Sequence, residues 1–108
     1  MVKPGDVVTV DFPGVLGIKR RPAVVISSDV YHLNRPDVVL GLLTTQSRSA
    51  TGPTDYTLQD WAIAGLHNPS VFRVFLATLP VTSVAVIGHL SDRDWLEIQG
   101  RLHVALAI

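Results

Sequence analysis

The chain contains no cysteine. Disulfide frameworks, thiol nucleophiles and thiolate metal sites are therefore excluded together. No stretch approaches the roughly 18 consecutive apolar residues of a membrane span, and Met1-Val2-Lys3-Pro4-Gly5-Asp6 does not read as a secretory leader. A cytoplasmic protein is the default expectation. Charge is sparse: 9 basic and 9 acidic residues cancel to a formal net charge of +0, and charged residues make up 17% of the chain against 47% hydrophobic. A neutral chain does not advertise a nucleic-acid partner through bulk charge. Ordinary apolar content with little charge argues against disorder, and it suggests apolar surface covered by a second subunit. Lysine is scarce as well, since seven of the basic residues are arginine and two are lysine. Arginine suits bidentate, oriented phosphate contacts, whereas lysine serves better as a solvated charge.

The 108 residues predict a single domain over 1–108, large enough to enclose a modest core. There is no internal repeat and no low-complexity linker. Apolar periodicity near two dominates the first eighty or so residues, the signature of strands. Asp6 to Phe12 alternates Val8, Val10 and Phe12 against Val7, Thr9 and Asp11. Pro13-Gly14 and Gly17 then mark a loop that ends in the basic run Lys19-Arg20-Arg21. Pro22 to Ser27 and Asp37 to Thr45 read as buried strands, with one helical turn between them at Ser28 to Asn34. Ser47 to Thr54 is a polar loop, followed by a short strand at Tyr56-Thr57-Leu58. Gln59 to Ala64 reads as a brief helix, with Gly65 placed for a left-handed cap. Ser70 to Leu79 and Val84 to Leu90 are two further strands.

The period then changes. Ser91 is a good N-cap, Asp92 and Asp94 fall in the first turn, and Trp95, Ile98 and Leu102 share a face. A helix over about Asp92 to Ala107 follows, with Gly100 as a weak point inside it. The predicted class is mainly β (α+β): about six short strands, short helical turns and a C-terminal α-helix, in a strongly bent sheet or small barrel.

Five blocks carry a resemblance. They are Gly5-Asp6-Val7-Val8, Arg21-Pro22-Ala23-Val24-Val25-Ile26-Ser27, Thr44-Thr45-Gln46-Ser47, Ala64-Gly65-Leu66-His67-Asn68-Pro69-Ser70-Val71-Phe72-Arg73 and Gly88-His89-Leu90-Ser91. In this order and spacing the chain resembles the MazF/PemK family of type II toxins over nearly its whole length. The resemblance implies a dimeric SH3-like barrel that cleaves single-stranded RNA, with mRNA the expected target, at short motifs without a metal or other cofactor. It also implies a cognate antitoxin, short and partly disordered, as partner.

Metal-free RNA cleavage proceeds by attack of a 2′-OH on the adjacent phosphorus, leaving a 2′,3′-cyclic phosphate. It needs an acceptor for the 2′-OH proton, help for the departing 5′-oxygen, and positive charge on the phosphate oxygens. Arg21, whose fork can hold two oxygens, can supply the last task, and the resemblance makes it the leading catalytic residue. With a pKa above roughly 12, an arginine stabilises charge rather than donating a proton. By resemblance Thr44 works beside it, its hydroxyl orienting the scissile phosphate. Lys19 and Arg20 would flank the site and attract the backbone, while Gln46, Arg48 and Arg73 would line the RNA groove. Read without the resemblance, these are also ordinary residues: an exposed loop arginine, a β-branched strand end and solvated polar side chains.

Some relatives carry an Asp two residues after the arginine of the fifth-strand block. Here that position is Phe75, and no His occurs in the first loop, so proton acceptance is unassigned. Phe75 has two readings: core packing, the favoured one, and a platform for an unpaired base. His32, His67, His89 and His103 show no helical i, i+4 pair, so no catalytic metal is expected. A rival class remains, because the same barrel serves CcdB-like toxins, which bind DNA gyrase without cutting RNA.

Overall fold

Strands dominate the computed structural model, which describes residues 1–14, 17–45 and 52–108. In chain order the elements are β1 (Asp6–Gly14), β2 (Gly17–Val25), α1 (Asp29–Asn34), β3 (Asp37–Thr44), β4 (Tyr56–Thr57), β5 (Val71–Pro80), β6 (Ala85–His89) and α2 (Asp92–Leu106). The six strands form one sheet of order β4-β5-β3-β2-β1-β6, and every neighbouring pair is antiparallel.

Both faces of this sheet are covered, which is why β2 and β3 read as near-continuous apolar runs rather than alternating ones. On one face Val8, Val10, Phe12, Ala23, Val25, Val38, Leu40 and Leu42 form a buried cluster, joined by Ala77 and Leu79 of β5. Strands β1 and β5 are separated by two others, so these contacts require the sheet to curl over this face. It is therefore the concave interior of a half-barrel. On the convex face Val7, Val24, Leu43 and Phe72 pack against Leu58, Ala64, Leu66 and the α2 residues Ile98 and Leu102.

Helix α2 is fixed by polar contacts as well as apolar ones. The Ser91 side chain accepts from the Asp94 backbone N–H and caps the helix. Asp94 is fully buried. Its Oδ1 accepts from the Tyr56 hydroxyl at 2.6 Å and the Gln59 N–H at 3.0 Å, and its Oδ2 from the Asp60 N–H at 2.8 Å. Outside this knot Asp60 takes both forks of Arg93, at 2.6 and 2.7 Å, and the Ser91 hydroxyl at 2.6 Å. The bonds from Arg93, then the one from Ser91, hold the Asp60 carboxyl down at about 2.

Two expectations are corrected. The basic run does not lie in a loop: β1 and β2 stay paired out to Gly14 and Gly17, so Lys19, Arg20 and Arg21 are strand residues. A ladder needs backbone partners, not buried side chains, and a polar hairpin arm hides its strand from apolar periodicity. Gln59 to Ala64 is not a helix either. Its carbonyls close a wide turn, Gly65 N–H to Ala62 O and Leu66 N–H to Trp61 O, in place of helical i to i−4 bonds, while Asp94 anchors the Gln59 and Asp60 N–H groups at its start. Gly65 does adopt the left-handed backbone, φ +87, and a side chain there would run into the Ile87 carbonyl. α1 forms within the expected Ser28 to Asn34 turn, with Ser28 as its cap, and α2 begins where Ser91 placed it.

Candidate nucleic-acid interface

Arg21 stands opposite Val10 in the β1–β2 ladder, and Lys19 opposite Phe12. Cross-strand partners share a face, so both basic side chains leave β2 on the concave side, in line with the buried Val10 and Phe12. The β2–β3 ladder pairs Ala23 with Leu42 and Val25 with Leu40. Carried on by two residues, that register sets Arg21 against Thr44, the last residue of β3. Thr44 is in turn the ladder partner of Val71, and Arg73 lies two residues further along β5 on the same face. The fold thus brings Arg21, Thr44, Arg73 and Lys19 to one end of the concave face, from three strands. Arg21, Thr44 and Arg73 are half-buried, while Lys19 is exposed.

Arg20 is placed differently. It alternates to the other face of β2, where its guanidinium donates to the Thr9 hydroxyl at 3.2 Å and pairs with Asp11 at 3.6 Å. It is therefore not gathered with Arg21. Gln46 and Arg48 lie outside the described residues.

Phe75 is not a core residue: it is 47% exposed. It sits in an irregularity of β5, because Gly41 pairs with Leu76 while Leu43 pairs with Phe72, leaving Arg73, Val74 and Phe75 to oppose Leu42 alone. Such a bulge breaks the ladder locally and re-aims side chains. Sequence reading missed that Phe12 supports this ring, the two centroids lying 5.5 Å apart at 83°. The pairing exists only because the sheet curls, and nothing in the spacing of the two phenylalanines announces it.

Charge is distributed unevenly for a neutral chain. Lys3 pairs with Asp6, Arg20 with Asp11, Arg35 with Asp37, Arg93 with Asp60 and Arg101 with Glu97. Among the described residues, neither Lys19 nor Arg21 enters an ion pair. Five cations are thus matched locally, and unmatched positive charge remains beside the concave mouth. A half-buried guanidinium on the same face as a threonine is suited to an anion with two accepting oxygens.

A second polar group lies elsewhere. His89 Nδ1 is 2.9 Å from Asp6 Oδ1. Burial alone would raise the Asp6 carboxyl, but bonds from His89 and Lys3 outweigh it and set the group below its ordinary value. Asp6 is four residues from Val10 along β1, roughly 13 Å at the strand rise, so this pair is not an acid–base partner for an anion at Arg21. It instead joins the start of β1 to the end of β6.

A family model described as "PemK-like, MazF-like toxin of type II toxin-antitoxin system" matches residues 3–106. Solved structures share the fold. An endoribonuclease in complex with its cognate antitoxin from a mycobacterial species superposes with a TM-score of 0.78 at 23% identity, covering 100% of this chain and 97% of that one. The Mycobacterium tuberculosis toxin MazF-mt6 gives 0.77 at 21% identity, over 95% and 97% of the two chains. MazF from Deinococcus radiodurans gives 0.78 at 20%, over 99% and 97%. A search of curated protein sequences gave no significant match.

Proposed function

Because the chain belongs to the PemK-like, MazF-like toxin family of type II toxin–antitoxin systems, we propose that it is an endoribonuclease cutting single-stranded RNA, mRNA in the first place, without a metal. The observation that carries this reading is the placement of Arg21 and Thr44 on the same concave face beside Lys19, with neither Lys19 nor Arg21 in an ion pair among the described residues. In the proposed reaction a 2′-oxygen attacks phosphorus and the bond to the 5′-oxygen breaks, leaving a 2′,3′-cyclic phosphate. Negative charge builds on the two non-bridging oxygens, where the Arg21 fork meets it. Half-burial strengthens that interaction by thinning the water around the guanidinium. The Thr44 hydroxyl orients the phosphate against Arg21. Lys19 and Arg73 bind the backbone on either side, with Gln46 and Arg48 assigned to the same groove. Arg20, tied to Asp11 on the other face, contributes attraction at longer range.

The rival reading, a gyrase-binding protein, is not favoured, since the family match runs over residues 3–106. The partner under this reading is a short, partly disordered antitoxin whose C-terminal segment folds over the β1–β2 hairpin end and covers Arg21. An inhibited complex with Arg21 still open to solvent would refute that mode. Two copies of the chain would meet through exposed apolar surface, Val86 and Ile87 on β6 and Leu96 and Val104 on α2.

The test is incubation of purified wild type and Arg21→Ala with a long single-stranded RNA in excess EDTA, mapping the cut ends. Discrete cuts ending in 2′,3′-cyclic phosphate are expected, with the mutant rate down about 100- to 1,000-fold, the usual cost of removing one oxyanion-stabilising group. No cutting by folded, antitoxin-free wild type would refute the assignment.

A further inference from the structure

Phe75 is a large apolar side chain that the fold leaves half in water, although the core cluster is adjacent. Its 47% exposure contrasts with 2% for Phe12, against which it packs at 5.5 Å and 83°. In this edge-to-face arrangement the buried ring fixes the attitude of the exposed one, and at least one face of Phe75 stays open. The β5 bulge that places it here keeps it on the side of the strand that bears Arg73. Phe12 is itself the cross-strand partner of Lys19 and the diagonal neighbour of Arg21. An open aromatic face is thus held beside three cations, all at the mouth of the concave face.

Building on the ribonuclease reading, we propose that Phe75 is a stacking platform for one unpaired RNA base next to the phosphate held by Arg21. Cations tracking the backbone and an aromatic ring taking a base face are the two parts from which single-strand sites are built. Stacking accepts any base, so Phe75 supplies affinity and places the strand without reading its sequence. Its support is rigid: Phe12 lies in β1, buried among Val10 and Leu42, so little is lost in ordering the ring when RNA arrives.

The test uses a short 2′-O-methyl RNA, which cannot be cut, taken from the sequence that wild type cleaves. A single abasic site is walked along it, and binding is followed by fluorescence anisotropy for wild type, Phe75→Leu and Phe75→Trp. One abasic position is expected to weaken wild type about tenfold. Phe75→Leu should bind the intact strand about tenfold more weakly and show no further loss at that position, while Phe75→Trp should keep both the affinity and the penalty. A partly unfolded leucine variant would lose affinity for every strand alike and keep the penalty at that position, so a folding defect cannot mimic the pattern. Equal binding by Phe75→Leu and wild type, or identical abasic profiles in the two, would overturn the stacking role alone. Absence of any cleaved sequence from which to take the strand would overturn the ribonuclease reading itself.

Discussion

Asp94 is the test of how α2 is held. It is 0% exposed, and three donors converge on its carboxylate: the Tyr56 hydroxyl at 2.6 Å and the Gln59 and Asp60 N–H groups at 3.0 and 2.8 Å. Asp94→Ala strands all three. The Tyr56 bond has a charged acceptor and lies in the core, so its loss costs about 1.5–3 kcal/mol, and each N–H near the surface adds about 1 because water reaches it in part. The total is about 3–5 kcal/mol, a large share of the 5–15 kcal/mol typical of a whole domain. Asp94→Asn keeps an oxygen for Tyr56 and Gln59 but turns an NH₂ towards the Asp60 N–H, two donors face to face, so an intermediate loss is expected. Tyr56→Phe should cost about 2 kcal/mol, and the cycle with Asp94→Ala should show coupling of similar size. Urea unfolding of wild type, the three single variants and the double variant measures these values. The clamp lies on the convex side, so each variant should cleave RNA like wild type at temperatures where it stays folded. A loss below about 1 kcal/mol for Asp94→Ala would refute the account, since no buried donor could then have been stranded.

The same knot predicts an alkaline limit. Burial first, then the bond to Asp94, pushes the Tyr56 hydroxyl up to about 12 from 10.0. A group with a raised folded pKa stabilises fully below its unfolded value and loses that contribution as pH rises towards the folded one. Stability should therefore fall between about pH 10 and 12 in wild type, and less steeply in Tyr56→Phe; equal slopes by urea titration would contradict the assignment. Gly100 lies within α2, and a Cβ there meets nothing within 4 Å. Gly100→Ala should then stabilise by about 0.8–1 kcal/mol and raise Tm by about 4 °C in calorimetry. A lower Tm would mean that a second copy packs against the outer face of α2 beside Leu96 and Val104.

Much was legible in the residues alone. Ser91 announced the C-terminal helix because capping is local chemistry, decided within three residues of the cap. The apolar strands followed from their pattern for the same reason, and Gly65 from the one backbone region that glycine enters freely. Arg21 and Thr44 were picked out by their blocks, yet their separation of 23 positions says nothing about register. What the residues concealed were elements whose order comes from partners distant in the chain. The polar arm of the β1–β2 hairpin is a strand because each half offers the other its backbone, whatever the side chains. The 59–64 segment closes as a turn, through Gly65 N–H to Ala62 O and Leu66 N–H to Trp61 O, and is pinned at its start by Asp94, more than thirty positions away. Alternation along β2 sends Arg20 away from Arg21, a division invisible while those residues read as loop. Phe75 shows the contrast most clearly: its sequence neighbours make it a strand phenylalanine suited to a core. Only the curl of the sheet, bringing β5 over β1, seats it on Phe12 and leaves its other side to solvent. Composition and local pattern thus determined the apolar strands and the two helices; closure of the sheet decided which side chains share a face, because that depends on contacts no local spacing encodes.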